Sequence, residues 1–310
     1  MKFHKIYVEI TDICGLSCSF CTPKKAKRGV MPLTLFKNII EQIANYTKFI
    51  SLHVLGDPLC VENLNEYLAI GSYYNVKFDI VSSGAFLQQK HFPILTQDSI
   101  HQVSFSLDAL FNHSHLNKEI HKYFDRIIDF YMYANANYPK LYINLRLFGN
   151  NDYTYLLERF PNAIMQTEKR RLRLAKNFFL RFHKPFIWHA TQKHHNLKSS
   201  FLDSINQSLH KDKPSNDKLL ETKSIMSQMQ NHPKPNKPYC FGSVKQLAIL
   251  ANGIVVPCCI DANGSMPLGN LCVQDFESIL KSKPMKTMQK AQHTHKNLPN
   301  LCSTCTFRGV

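Results

Sequence analysis

The sequence predicts an α/β protein of parallel strands joined by helices, closed by a small cysteine-rich C-terminal extension. Three observations lead there. Between Lys5 and Leu147, stretches of alternating apolar residues give way repeatedly to apolar residues at helical spacing. Turn-forming residues end the strand-like stretches, as in Gly56-Asp57-Pro58, Ser82-Ser83-Gly84 and Asp108. The cysteines gather at the two ends of the chain, with a long polar stretch between them.

Taken in order, Lys5–Ile13 carries Ile6, Val8 and Ile10 on one face of a strand. Leu35, Phe36, Ile39, Ile40 and Ile43 mark the first helix. Phe49–Leu55 is a second strand, and Val61, Leu64 and Leu68 a second helix. Val76, Phe78 and Ile80 alternate in a third strand, and Val103–Leu107 is a fourth. Ile120, Phe124, Ile127, Ile128 and Tyr131 form a helical stripe. Leu141, Ile143, Leu145 and Leu147 make a fifth strand, and Phe178–Phe182 a sixth. Repeated βα units of this length imply parallel strands with right-handed crossovers. From Thr191 to Pro238 only a short helix near Leu219–Met229 is expected. Gln246–Pro257 reads as a hairpin turning at Asn252-Gly253, and Asp275–Lys281 as a short helix. Boundaries follow at 1–190, 191–237 and 238–310.

The chain has 310 residues, 44% of them hydrophobic, which suits a folded core and excludes wholesale disorder. No apolar run approaches the roughly 18 residues of a spanning helix, and Met1–Asp12 has no signal-type apolar segment. The expectation is a cytoplasmic protein without membrane partners. The net charge is +16. Residues 165–237 hold fifteen Lys and Arg against five Asp and Glu, a net +10. That stretch is either a solvated loop or a docking surface for RNA or an acidic peptide leader. Phe178, Phe179, Phe182, Phe186 and Trp188 interleave there with Arg181, His183 and Lys184, which fits base stacking or a strand's core face equally.

Ten cysteines in a reducing compartment point to metal before disulfides. Cys14-x3-Cys18-x2-Cys21 directly follows the first strand. Three thiolates hold three irons of a [4Fe–4S] cubane and leave the fourth iron open, whereas structural zinc needs a fourth protein ligand. At the other end, Cys240, Gly253-x4-Cys258 and Cys302-x2-Cys305 supply four thiolates, which chemistry alone assigns to zinc or to a second iron–sulfur cluster. Cys259 beside Cys258 leaves that ligand ambiguous. Cys60 and Cys272 read as buried structural thiols.

The N-terminal spacing resembles the signature of the radical SAM superfamily. Phe20 before the last cysteine, Leu55-Gly56-Asp57-Pro58 after the second strand and Ser106-Leu107-Asp108 after the fourth resemble further family motifs. The C-terminal cysteines resemble a SPASM/twitch extension, with Pro257-Cys258-Cys259-Ile260-Asp261 and Leu268-Gly269-Asn270-Leu271 in the same style. The resemblance implies a partial (β/α)6 barrel over residues 1–190. Cys14, Cys18 and Cys21 would hold a [4Fe–4S] cluster whose open iron chelates S-adenosylmethionine. Reductive cleavage would yield a 5′-deoxyadenosyl radical that takes hydrogen from a substrate. Gly56 and Asp57 would meet the SAM amino group, Ser83 its ribose, and Ser106 and Arg146 its carboxylate. Asp57 stands where the family usually has Glu, which shortens the reach and shifts contact toward backbone carbonyls. Cys240, Cys258, Cys302 and Cys305 would hold a second, auxiliary [4Fe–4S] cluster, since a full SPASM module has seven cysteines. The implied partners are a peptide or protein substrate and a flavodoxin or ferredoxin as electron donor. Two alternatives stand beside this: an RNA-modifying radical SAM enzyme, and a non-catalytic iron–sulfur or zinc protein that binds nucleic acid.

Overall fold

The computed structural model describes residues 2–24, 27–112, 119–148, 153–167, 170–183 and 239–307. Its elements, in chain order, begin with β1 (Lys5–Val8), α1 (Leu33–Ile43), β2 (Phe49–Ser51), a 3₁₀ turn (Pro58–Cys60), α2 (Leu64–Tyr73) and β3 (Lys77–Ser82). There follow α3 (His91–Ile94), β4 (Ile100–Ser106), α4 (Asp108–Asn112), α5 (Ile120–Asn137), β5 (Tyr142–Phe148) and α6 (Thr154–Arg159). The next three are strands, β6 (Ile164–Gln166), β7 (Arg171–Ala175) and β8 (Phe178–His183). The C-terminal part holds β9 (Gln246–Ile249), β10 (Ile254–Val256), β11 (Gly269–Asn270), α7 (Phe276–Lys281), α8 (Lys283–Thr294) and α9 (Asn300–Ser303).

All eleven strands form one sheet in the order β11-β10-β9-β1-β2-β3-β4-β5-β8-β7-β6. From β9 through β8 the neighbours are parallel, and β10–β11 and β7–β6 add antiparallel hairpin strands at the two edges. The α/β expectation holds. The six expected strands appear as β1 to β5 and β8, side by side in chain order. The sheet also contains β6 and β7, which were not foreseen. β6 is only the three residues Ile164-Met165-Gln166, and β7, Arg171-Leu172-Arg173-Leu174-Ala175, alternates but lies inside the basic stretch and reads as solvated. The expected hairpin forms as β9 and β10, with the turn at Asn252-Gly253. It does not stand apart: β9 pairs along all of β1, so the sheet runs unbroken into the C-terminal part. The expected helix at 219–229, together with Phe186, Trp188 and most of the basic stretch, lies outside the described residues.

The strands present two unlike faces. Ile6, Val8, Ile50, Phe78, Ile80, Val103, Phe105, Ile143, Leu145, Phe178 and Leu180 are buried in one apolar cluster. Phe36, Ile39, Ile40 and Ile43 of α1 and Phe124, Ile127 and Tyr131 of α5 belong to the same cluster. The residues between them carry Lys5, Tyr7, Ser51, Asp79, Ser104, Ser106, Asn144, Arg146 and Arg181. A sheet apolar on one side and polar on the other puts its core beneath the helices and leaves the polar side for chemistry.

Candidate functional site

The polar face opens toward the carboxyl ends of the parallel strands, where ligands of α/β sheets bind. The loop after β1 carries Cys14, Cys18 and Cys21, all half-buried. Its base is a network of buried polar groups. Glu9, fully buried, takes a two-pronged ion pair from Arg28, with Nε on Oε2 at 2.6 Å and a terminal nitrogen on Oε1 at 2.8 Å. The same carboxylate accepts the backbone N–H of Leu55 at 3.1 Å and of Ala251 at 3.0 Å. Asp12 accepts the N–H of Arg28 at 3.0 Å and of Gly29 at 2.9 Å, closing the loop on itself. Gly15, at φ +69°, lies under Phe86, and a Cβ there would stand 2.6 Å from the ring. Asn263 of the C-terminal part donates to the Pro23 carbonyl at 3.0 Å.

Within this loop the thiols are held protonated. Burial raises all three, and Cys14 and Cys21 push the Cys18 thiol further, to about 12. Asp57 adds to the rise at Cys14 and Asp108 to that at Cys18. Three thiols whose ionisation burial opposes, with Cys18 also pushed up by its two neighbours, are a donor set that a cluster cation relieves, because coordination deprotonates the thiol outright. Among the described residues no three His, Cys, Asp or Glu side chains lie close enough to chelate a single metal ion. The thiolates of a cubane go to separate irons.

The ends of the next strands surround the loop. Gly56 follows β2 at φ +72°, and a Cβ there would lie 2.4 Å from the Thr11 carbonyl, so only glycine lets the two loops touch. The Asp57 carboxylate is buried and fully engaged. It accepts Leu59 N–H at 3.0 Å, the Ser82 hydroxyl at 3.0 Å, and Ser83 N–H and hydroxyl at 2.8 and 2.7 Å. Asp57 therefore ties the end of β2 to the end of β3, and the Ser83 hydroxyl is spent on it. Ser106 and Arg146 face each other in register at the ends of β4 and β5. Burial pulls the Arg146 pKa down, while Tyr7, Cys259 and Asp108 favour its charged form. Burial raises Asp108 to about 7, against the Phe148 N–H that it accepts at 3.1 Å.

In the C-terminal part, Cys240 and Cys258 meet over Gly242, where a Cβ would lie 3.5 Å from the Cys240 sulfur and 3.6 Å from the Cys258 Cβ. Cys258 is buried, and burial raises its thiol well above the usual range. Cys302 is buried on α9; its sulfur receives Gln292 Nε2 at 3.6 Å and lies 3.9 Å from the Met266 sulfur. Cys305 follows α9, half-buried. Cys259 points elsewhere than Cys258: its thiol is hydrogen-bonded to the Tyr7 hydroxyl and lies near Arg146, on the polar face of the sheet. Cys60 is half-buried, with its sulfur 3.5 Å from the Cys14 carbonyl. The expectation of a buried Cys272 is corrected: it is exposed beside the Asn252-Gly253 turn, because β11 lies at the sheet edge.

Sequence reasoning missed Glu9, Arg28 and His53, a half-buried histidine whose Nδ1 is buried without a partner. The available signal was Glu9 and Asp12 inside an otherwise apolar stretch, Val8-Glu9-Ile10-Thr11-Asp12-Ile13. Charged groups in such a segment are buried only with partners.

With the geometry in place, comparison with known proteins adds three findings. Residues 240–306 match the SPASM family model, described as an iron–sulfur cluster-binding domain, which bears out the C-terminal resemblance. No curated protein matches the chain in sequence. Among solved structures, the fold is similar to BtrN in complex with AdoMet and 2-DOIA, with a TM-score of 0.54 at 19% identity over 99% of this chain and 94% of that one. It is similar to Streptococcus suis SuiB bound to precursor peptide SuiA, at 0.57 and 14% over 98% and 70%. Native anSMEcpe with bound AdoMet and Cp18Cys peptide gives 0.57 and 12% over 98% and 86%. The fold class is thus shared along nearly the whole chain. No helix among the described residues is long and apolar enough to cross a membrane.

Proposed function

We propose that the chain is a radical SAM enzyme that modifies a peptide or protein. The single observation carrying this reading is the three-cysteine loop at the carboxyl end of β1, ringed by Gly56, Asp57, Ser83, Ser106 and Arg146 at the ends of the next four parallel strands. Cys14, Cys18 and Cys21 hold a [4Fe–4S] cluster. Bound and reduced there, such a cluster would supply the electron for reductive cleavage of S-adenosylmethionine, the source of a hydrogen-abstracting radical.

The chain's own residues do the rest. Gly56 lets its loop approach the cysteine loop, so the backbone there meets the SAM amino group. Asp57 acts through Ser82 and Ser83, fixing the strand ends rather than reaching the ligand with its filled carboxylate. Arg146 offers a planar fork to the SAM carboxylate beside Ser106. Cys240, Cys258, Cys302 and Cys305 hold an auxiliary [4Fe–4S] cluster, and the proximity of Cys240 and Cys258 supports choosing Cys258 over Cys259. We retain the division into a core (1–190), a basic connection (191–237) and a cluster domain (238–310), with a flavodoxin or ferredoxin as electron donor. A peptide substrate is supported by the peptides bound to SuiB and anSMEcpe.

The test is anaerobic reconstitution followed by dithionite and SAM. The expected result is 5′-deoxyadenosine and about eight irons per chain, two cubanes. Iron-loaded protein that releases none overturns the catalytic reading, and iron near four overturns the auxiliary cluster.

A further inference from the structure

Carboxylates at and around the polar face are nearly all engaged. Glu9 is taken by Arg28, Asp12 by the Arg28 and Gly29 amides, and Asp57 by Leu59, Ser82 and Ser83. Asp79 is taken by Lys5 and by His101 at 2.9 Å, and Asp108 by the Phe148 amide. The cations are not balanced in the same way. Arg146, Arg181 and Arg171 lie directly opposite one another on β5, β8 and β7. Like charges opposed on neighbouring strands, about 4.8 Å apart, destabilise a sheet. Arg171 is occupied by Gln166 at 2.6 Å and by the Phe179 ring at 4.1 Å. Neither Arg146 nor Arg181 has an ion pair among the described residues.

Around Arg181 the unmet polar atoms accumulate. Its Nε is buried without a hydrogen-bond partner, and so are both amide atoms of Asn144 and Nε2 of His183. Asn144 precedes Arg146 by two residues on the same face, and His183 follows Arg181 by two. Burial, then Arg146 and Arg181, hold His183 neutral, with a pKa lowered to about 3. A buried donor left unpaired costs about 1–3 kcal/mol, so a group of them on one surface marks the seat of a ligand that pairs them.

We propose that Arg181, with Asn144 and His183 beside it, binds a carboxylate of the substrate one strand spacing from the SAM carboxylate on Arg146. This rests on the peptide reading above and narrows it: the substrate segment that enters the site carries Asp, Glu or a free C-terminus. Two guanidiniums side by side accept two anions side by side, so cofactor and substrate each cancel one half of an unfavourable pair. A neutral segment would leave Arg181 charged and unpaired.

The experiment is calorimetric titration of the reconstituted, SAM-loaded protein with three short probes. They are Ac-Gly-Glu-Gly-amide, Ac-Gly-Gln-Gly-amide and Ac-Gly-Gly-Gly with a free carboxylate. The expected result is about tenfold tighter binding of at least one acidic probe over the glutamine probe, the scale of one charge-assisted hydrogen bond. Which acidic probe wins separates a side chain from a C-terminus. Arg181→Gln should abolish the preference and Arg181→Lys should keep part of it. Lys176→Gln, in the exposed β7–β8 turn, should leave it whole. Equal or undetectable binding of all probes by the wild type overturns the proposal and needs no variant to interpret. A preference that survives in Arg181→Gln overturns it too, as does displacement of the acidic probe by inorganic phosphate at concentrations where acetate has no effect. Because these readouts are equilibrium binding, they stand apart from 5′-deoxyadenosine release, whose absence would instead strike the catalytic reading.

Discussion

The cysteines at the two ends of the chain are held by opposite means. Cys14, Cys18 and Cys21 sit within eight residues on one loop, and that loop is fastened by charge: Glu9 to Arg28, Asp12 to two backbone amides, Lys24 to the Asp12 carbonyl. Cys240, Cys258 and Cys302 come from three separated segments, and what fastens them is apolar burial. Cys258 and Cys302 are each at most 8% exposed, with Met266, Met288 and Gln292 around the second. A site made of one loop can stay open to ligands because its frame lies beneath it. A site assembled from distant segments has to be closed by its own packing. The two meet through Glu9, whose carboxylate binds Ala251 in the turn of the C-terminal hairpin.

That contrast can be broken most sharply at the cysteines themselves. Cys18→Ala should remove all SAM cleavage and about half of the iron, while Cys258→Ala should remove the other half and leave the SAM-bound cluster's spectrum in place. If each variant loses all of its iron, the two regions are not separable.

Next in size is the polar frame. Glu9→Ala leaves Arg28 buried and unpaired and frees two amides, so urea denaturation should show a loss of about 3–5 kcal/mol. A loss under about 1 kcal/mol would mean that packing, not charge, holds the N-terminal loop. Gly56→Ala introduces a side chain at positive φ against the Thr11 carbonyl. A loss of about 2–3 kcal/mol is expected, with a matching fall in SAM cleavage as the two loops separate.

Smallest near neutral pH is a pH dependence. Burial, then Arg146 and Lys5, lowers the His53 pKa to about 3. A depressed histidine contributes stability that is present above its unfolded pKa of about 6.5 and is lost as pH falls toward the folded value. The stability of the wild type should therefore fall by about 1 kcal/mol between pH 6.5 and 5.5 from this residue, steepening toward about 1.4 kcal/mol per pH unit below that. His53→Gln should flatten that slope, as read from melting temperatures across the range.

Much of the fold could be read in advance because strand and helix periods are local. Ile6-Tyr7-Val8 and Ile143-Asn144-Leu145 declare their faces within three residues, and Phe36, Ile39, Ile40 and Ile43 declare a helix within eight. β7 was not legible because Arg171 and Arg173 carry the charge of a loop while Leu172 and Leu174 supply the burial, and β6 because its three residues, Ile164-Met165-Gln166, are too short to show a period. Asp57 was legible as a residue at a strand end, but not as the anchor between β2 and β3, since its partners lie twenty-five residues away.

By itself, the amino-acid sequence determined the chemistry that depends on spacing: a three-thiol loop after a strand, a Cys-x-x-Cys near the end, and the alternation that makes a two-faced sheet. Only the tertiary structure decided what depends on distance between segments: that β9 joins β1, that Glu9 locks both ends together, that Cys259 turns to Tyr7, and that three arginines line up. Spacing is a property of neighbours in the chain, whereas the energy of a buried charge is set by whatever packing brings beside it.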